Sequence, residues 1–301
     1  MPDAARGDEA PVARVPRRVW ILVGAGLLSY GFSSILVRAA GDVEPLAIAV
    51  WRAAFVTLAL APPALWTARA EMARMPRRSW ALVGASGVLL GLHFAAWIAS
   101  VQLTTVAAAS VLVTTSPLWI GALGALGIGD RPARRTMAAI GLGTLGAVLI
   151  GVGGGGGGPA PPSPLVGNAL ALGAAVLIAV YFLVGRSVRQ SVSFLAYFTP
   201  VNAVAALTAA AVCVATGTPI GLPPDALAWV AVMALGPGLL GHGSFALALG
   251  FVPPATLGLL ALAEPVLASV IAVILFGETP GAVAVAGMIA VLVSIAVAVR
   301  K

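Results

Sequence analysis

The chain has 301 residues, of which 60% are hydrophobic and only 9% are charged, and its mean hydropathy is +1.05. Because a soluble globular protein carries about a quarter charged residues, this composition excludes a soluble domain and predicts a protein embedded in lipid. The single cysteine, Cys213, excludes a disulfide-stapled scaffold.

Apolar stretches of about 20 residues, the length that crosses a bilayer, recur along the whole chain after the tail 1–18. Charged clusters or Gly/Pro-rich turns separate them. The sequence therefore predicts an all-α membrane protein with ten transmembrane helices, at about 19–38, 45–66, 80–101, 105–127, 133–152, 164–185, 191–216, 226–250, 254–276 and 280–299.

The basic residues predict the orientation of these helices. All but Arg38 and Arg52 of the 17 Lys and Arg residues fall in segments that share one side of the membrane. Since cytoplasmic loops collect basic residues, we expect both termini to be cytoplasmic. The net charge of +7 is then an orientation signal, and no nucleic-acid partner is expected.

A Gly/Pro-rich segment, 153–163, predicts an external linker between two halves, 19–152 and 164–301. Pro117 and the GDRP motif at 129–132 reappear 148 positions later as Pro265 and the GETP motif at 277–280. Five helices in each half place the second half upside down, which is an inverted-topology repeat. Chance similarity between two apolar, Gly/Pro-rich stretches is the alternative.

Several of these motifs carry a resemblance to a known family. They are PLAIAVWR at 45–52, Ser116-Pro117 followed by 129–132, GPGLLGH at 236–242, and AEP at 263–265 followed by 277–280. Together they resemble the drug/metabolite transporter superfamily, in its ten-helix branch with two EamA domains. The resemblance implies a ten-helix bundle around a central cavity that exports or exchanges small metabolites without ATP.

Glu264 is the acid that lies deepest in a predicted span. It stands about ten residues into its segment, or about 15 Å at 1.5 Å per residue. An acid there costs about 3 kcal/mol, so it needs a partner or a proton. It is either a proton-coupling or cation-binding group, or a structural acid that satisfies backbone groups freed by Pro265.

Pro117 and Pro265 occupy matching places in the fourth and ninth spans, and each is expected to interrupt its helix. Thr114, Thr115 and Ser116 could satisfy the carbonyls that Pro117 leaves free. Paired interruptions are typical of transporter sites and gates, although membrane helices tolerate single prolines for purely structural reasons.

The third span has the clearest polar face, because Ser86, His93 and Ser100 recur every seven residues and Trp97 lies one turn beyond His93. We expect His93 and Trp97 to line a substrate cavity. The structural alternative is an interhelical hydrogen bond for His93 and an interfacial anchor for Trp97. His242 is a weaker candidate, since the neighbouring glycines indicate tight packing.

Arg52 lies inside the second span, where it could attract an anionic group, pair with Glu264 or extend to the headgroups, and of these a structural or headgroup-directed role is favoured. Further candidates for the cavity wall are aromatic residues inside the spans: Tyr30, Trp119, Tyr181 and Phe245.

These features predict a secondary transporter of the bacterial inner membrane that moves small metabolites such as amino acids outward by alternating access. Proton-coupled export of cationic drugs, with Glu264 as the counter-charge, is the alternative. A channel would need charged rings or a carbonyl filter, and an enzyme would need a catalytic pair that only Glu264 with a histidine could supply. We expect a small-molecule substrate, no cofactor or metal, and a monomer or dimer.

Overall fold

The computed structural model describes residues 15–129, 131–153, 161–276 and 280–299, and the regular structure within these ranges is entirely helical. A π-helical segment, Ala234–His242, joins two of the α-helices. The α-helices are α1 (Arg17–Gly31), α2 (Ser33–Ala39), α3 (Pro45–Thr67), α4 (Arg69–Arg74), α5 (Arg77–Leu103), α6 (Val106–Val113), α7 (Ser116–Ala125), α8 (Arg134–Gly153), α9 (Pro164–Arg189), α10 (Phe194–Thr216), α11 (Pro224–Met233), α12 (Gly243–Ala248), α13 (Pro254–Ala261), α14 (Ala263–Phe276) and α15 (Ala282–Val299).

Eight helical stretches of the described chain are long and apolar enough to cross a membrane. The other two predicted spans are also helical: α1 and α2 occupy 19–38 with a break at Phe32, and α15 occupies the last segment. The all-helical membrane class is therefore confirmed, whereas ten crossings and cytoplasmic termini stay predictions. Most of the tail 1–18, most of the linker 153–163, and the loop acids Asp130 and Glu278 lie outside the described residues.

The two predicted proline interruptions are present. The fourth span breaks between α6 and α7, where the Thr114 hydroxyl donates to the carbonyls of Ser110 and Val111 at 2.8 and 2.9 Å. The Thr115 hydroxyl likewise donates to the Leu112 carbonyl at 2.7 Å, so these two threonines satisfy carbonyls before Pro117 as expected. The ninth span breaks at Leu262, between α13 and α14.

The π-helical segment was not predicted. Pro237 lies inside it and has no backbone N–H to donate, so an α-helical hydrogen bond is lost there. Wider hydrogen-bonded turns of this kind occur often at functional sites. Here the segment ends at His242, one residue before α12 begins.

Contacts between the two halves occur in pairs. The second helix of the first half, α3, packs on the second helix of the other half, α10, and the fifth helices α8 and α15 pack on each other. The contact of α5 with α9 has its counterpart in the contact of α1 with the π-helical segment and α12. Such pairing is what a two-fold relation between the halves produces.

Glycines allow α8 and α15 to approach closely. A Cβ atom on Gly146 would lie 2.7 Å from the Gly287 carbonyl oxygen, and one on Gly287 would lie 2.5 Å from the Gly146 carbonyl oxygen. Small residues at a membrane helix crossing let the backbones pack directly. The contact therefore depends on the absence of a side chain at both positions.

Gly146→Ala is expected to lower the melting temperature in detergent, because overpacking at such a contact costs about 1–3 kcal/mol. Gly141→Ala on the same helix is the matched control, since a Cβ atom there would meet no atom within 4 Å. That control is expected to be neutral or slightly stabilising, as alanine favours a helix by about 0.5–1 kcal/mol over glycine. Equal melting temperatures for the two variants would contradict the contact.

Candidate functional site

A cavity of about 60 Å³ lies between the two halves, at the depth where α6 gives way to α7 and α13 to α14. Helices of both halves contribute to it. It is lined by Tyr30, Ser33, Arg52, His93, Trp97, Val113, Thr114, Ser116, Ile178, Phe182, His242, Ala261 and Glu264.

Arg52 places a positive charge in the wall of this cavity. Only 1% of its surface is exposed, and its guanidinium carbon lies 4.2 Å from the centre of the Phe94 ring and 6.0 Å from that of Trp97. The ring faces attract the cation but supply no negative charge. Within the described part of the chain Arg52 makes no ion pair, and its Nε has no hydrogen-bond partner. The guanidinium is thus held in place and remains available to an anionic group.

Aromatic rings surround the guanidinium and form the rest of the wall. The His242 ring lies 5.0 Å from both Tyr30 and Phe94, and 5.9 Å from His93, between ring centres. His93 Nδ1 donates to the Ala174 carbonyl oxygen at 2.9 Å, which ties α5 to α9. Because a carbonyl can only accept, Nδ1 carries the proton, and the neutral ring presents Nε2 as an acceptor.

Glu264 is the acid of the cavity. It is half-buried and stands in the first turn of α14, where the helix dipole favours a negative charge. Its carboxylate makes no hydrogen bond to any described residue, so it does not cap the backbone groups around Pro265. The Pro265 carbonyl instead accepts a hydrogen bond from the Ser269 hydroxyl at 2.8 Å.

The other predicted residues fall into two groups. Pro117 and Pro265 lie next to lining residues, Ser116 and Glu264, and each follows a helix break. Trp119, Tyr181 and Phe245 are not among the lining residues: Trp119 is 39% exposed on the outer surface of α7, and the other two are fully buried behind the wall.

The sequence ranks one lining residue, His242, too low and does not predict several others: Ser33, Val113, Ile178, Phe182 and Ala261. His242 is the weaker candidate because of its neighbouring glycines, yet these glycines bring it close to Tyr30: a Cβ atom on Gly241 would lie 2.7 Å from that ring. Ser33 and Phe182 lie in strongly apolar spans without a repeating polar pattern. Only their partners in other helices distinguish them from lipid-facing neighbours.

A sequence profile of the EamA-like transporter family matches residues 18–152 and, a second time, residues 165–300. The chain belongs to the EamA-like transporter family. The resemblance to the drug/metabolite transporter superfamily is thereby confirmed, and the two matches cover both halves.

Two further comparisons bear on this EamA-like transporter. A solved crystal structure superposes with a TM-score of 0.77 at 20% sequence identity, covering 95% of this chain and 97% of the other. At this identity the likeness supports the fold alone. A comparison with curated protein sequences gave no match.

Proposed function

We propose that this EamA-like transporter is a secondary carrier that moves small amphipathic metabolites, amino acids first among them, out of a bacterial cell across the inner membrane. It works by alternating access, as one five-helix half tilts against the other. Coupling to protons through Glu264 is part of the proposal. The proposal is carried by one observation: Arg52 and Glu264, of opposite charge, line one cavity without forming an ion pair.

The polarity of the two helix breaks supports a zwitterionic substrate. At one break, the N-terminus of α7 begins at Ser116 in the cavity wall, and a helix N-terminus favours an anion. At the opposite break, Glu264 supplies a full negative charge. A carboxylate facing Arg52 and an ammonium group facing Glu264 would satisfy both ends, while the aromatic rings contact an apolar side chain.

The size of the cavity supports a mechanism in which the halves move. About 60 Å³ has room for a few water molecules but not for an amino acid with a side chain. Substrate must therefore enter a wider conformation. The paired contacts between the halves provide an interface about which one half can tilt.

Counterflow in proteoliposomes tests this proposal. Vesicles loaded with an excess of unlabelled amino acid are expected to accumulate the labelled form transiently, because a carrier exchanges substrate across the membrane. Protein-free liposomes are the control, and a thermal-shift screen of amino acids, nucleobases and cationic dyes chooses the substrate. Non-saturable flux that ignores the internal substrate would instead indicate a channel, and formation of a product an enzyme.

Proton-coupled export of cationic compounds is the second candidate, and it is favoured by the Glu264 carboxylate beside aromatic rings. The two candidates differ in the role of Arg52. A cationic substrate gains nothing from a guanidinium in the wall and is repelled by it. Counterflow of a cationic dye that improves when Arg52 is neutralised would favour this candidate over an amino acid carrier.

A further inference from the structure

Three buried hydroxyl groups lie together outside the cavity. Ser86 of α5, Tyr181 of α9 and Tyr197 of α10 are each fully buried, and the Tyr197 hydroxyl adjoins those of Ser86 and Tyr181. These hydroxyls lie within reach of one another, and none of their oxygens has a hydrogen-bond partner elsewhere in the described chain. The cluster thus brings polar groups of both halves together, with only one another as partners.

Such a cluster is only partly satisfied in the conformation described, because each hydroxyl can both donate and accept. A buried hydroxyl without a partner costs about 1–3 kcal/mol, and alanine or phenylalanine would fill these positions without that cost. Hydrogen bonds beyond those within the cluster can therefore come only from a group that enters it. Water and the polar groups of a substrate are the chemical partners that neutral hydroxyls accept.

An aromatic layer separates the cluster from the cavity. Phe182, which lines the cavity, stacks on Phe245 with 6.1 Å between ring centres, and Tyr181 lies directly behind it at 5.7 Å. On the far side the Tyr197 hydroxyl rests against α9 at Gly185, where a Cβ atom would lie 2.7 Å from it. Phe182, Gly185 and Arg189 follow one face of α9 from the cavity to the end of the helix.

Two arginines close that end of the bundle. Arg189 donates to the Ala246 carbonyl oxygen at 3.0 Å and to that of Leu247 at 3.5 Å, and Arg186 donates to the Leu249 carbonyl at 2.7 Å. The carbonyls of Ala246 and Leu247 lie in the last turn of α12 and that of Leu249 follows it, where a helix leaves carbonyls without helical partners; that of Leu247 also accepts from the Gly250 N–H at 3.2 Å. Water can replace the arginines as their donors, so the contact can open at modest cost.

We propose that Ser86, Tyr181 and Tyr197 line a second, inner section of the translocation path, which is closed here and opens to water and substrate when α9 separates from α12. This inference rests on the proposed alternating access. The section would receive substrate from the side of Arg186 and Arg189, the predicted cytoplasmic side. Its hydroxyls would form hydrogen bonds with the polar groups of the substrate. The substrate would then pass the aromatic layer and reach the cavity lined by Arg52 and Glu264.

Thiol labelling tests the inference without requiring a substrate. In a Cys213→Ala parent, Ser86→Cys and Ser294→Cys each introduce one thiol at a position with no exposed surface. Ser294 packs against Gly143 in the contact of α8 with α15, away from the proposed path. A charged, water-soluble maleimide is expected to label Ser86→Cys about tenfold faster or more, because a minor open state of about 0.1–10% exposes it.

Arg189→Gln provides a second measurement in the same background. It removes contacts that hold α9 to α12, so labelling of Ser86→Cys is expected to become faster still, while Ser294→Cys does not change. Equal, slow labelling of the two thiols in both backgrounds would overturn the inference. Tyr197→Phe covers the case in which Ser86→Cys fails to fold: we expect a melting temperature close to that of the parent together with slower counterflow, and unchanged counterflow would overturn the inference.

Failure of the inference and failure of the proposed function are separable. Counterflow by the Cys213→Ala parent with no selective labelling of Ser86→Cys would contradict the inner section and still support the proposed carrier function. Selective labelling without counterflow for any substrate of the thermal-shift screen would support a water-accessible inner section and contradict the carrier.

Discussion

Arg52→Gln is expected to raise the half-saturation concentration for a carboxylate substrate about 10- to 100-fold without lowering the stability of the fold. A hydrogen bond to a charged group contributes about 1.5–3 kcal/mol, and each 1.4 kcal/mol is about a tenfold change in affinity. Arg52 is a positive charge in the wall of the cavity. Its loss therefore affects binding directly.

The stability of the same variant separates a binding role from a structural one. Burying a charge without a counter-charge costs several kcal/mol, whereas the contact with the Phe94 ring returns about 0.5–2 kcal/mol. The cost exceeds the gain even when waters in the cavity hydrate the guanidinium in part. Replacing it with neutral Gln should leave the melting temperature unchanged or raise it.

Arg189→Gln is the matched comparison, because this second buried arginine does have partners. It donates to the carbonyls of Ala246, Leu247 and Val192, so its replacement is expected to lower the melting temperature. Arg52→Lys, which keeps the charge but loses the planar fork, should lie between the parent and Arg52→Gln in affinity. A large loss of stability in Arg52→Gln with unchanged affinity per folded molecule would contradict a substrate-binding role.

Local signals in the sequence were sufficient for part of the site. Pro117 and Pro265 predict breaks in their helices because proline removes a backbone hydrogen-bond donor at any position. Both helix breaks occur as expected. His93 and Trp97 share a helix face at a spacing of one turn, and both line the cavity. Glu264 was found because an acid at that depth has few alternatives to a polar cavity.

The rest of the site depends on which helices meet. In lipid both the outer and the inner faces of a helix are apolar, so hydrophobic periodicity no longer distinguishes them. Trp119 faces outward and Phe182 faces the cavity, although both are aromatic residues in apolar spans. The adjacency of Ser86 to Tyr197 joins residues more than 100 positions apart, and no spacing rule predicts it.

The break at Phe32 and the π-helical segment before His242 were missed for a related reason. Proline marked two of the four irregular spans correctly, but Phe32 is an ordinary helix residue, and Pro237 alone predicts a kink rather than a π-helix. The geometry there follows from close packing: a Cβ atom on Gly26 would lie 2.8 Å from the Leu240 carbonyl oxygen. Tertiary contact thus acts together with the hydrogen bond lost at Pro237 to set the backbone at this point.

Glu264→Gln is expected to abolish accumulation driven by a pH gradient while counterflow continues. If one proton moves in exchange for each substrate molecule, a gradient of one pH unit supplies about 1.4 kcal/mol and supports about a tenfold accumulation. Gln cannot carry that proton, so the accumulation ratio should fall to about one. The measurement is uptake of labelled substrate into proteoliposomes with an imposed pH difference.

The pH profile of counterflow follows from the same carboxylate. As the pH falls, Glu264 takes up a proton and no longer attracts an ammonium group, so the affinity for an amino acid should decline in the parent and stay flat in Glu264→Gln. Glu264→Asp keeps a carboxylate at the start of α14 and should retain the pH dependence. Parent-like accumulation and an unchanged pH profile in Glu264→Gln would assign Glu264 a structural role. Because its carboxylate has no hydrogen-bond partner among the described residues, we expect the coupled behaviour.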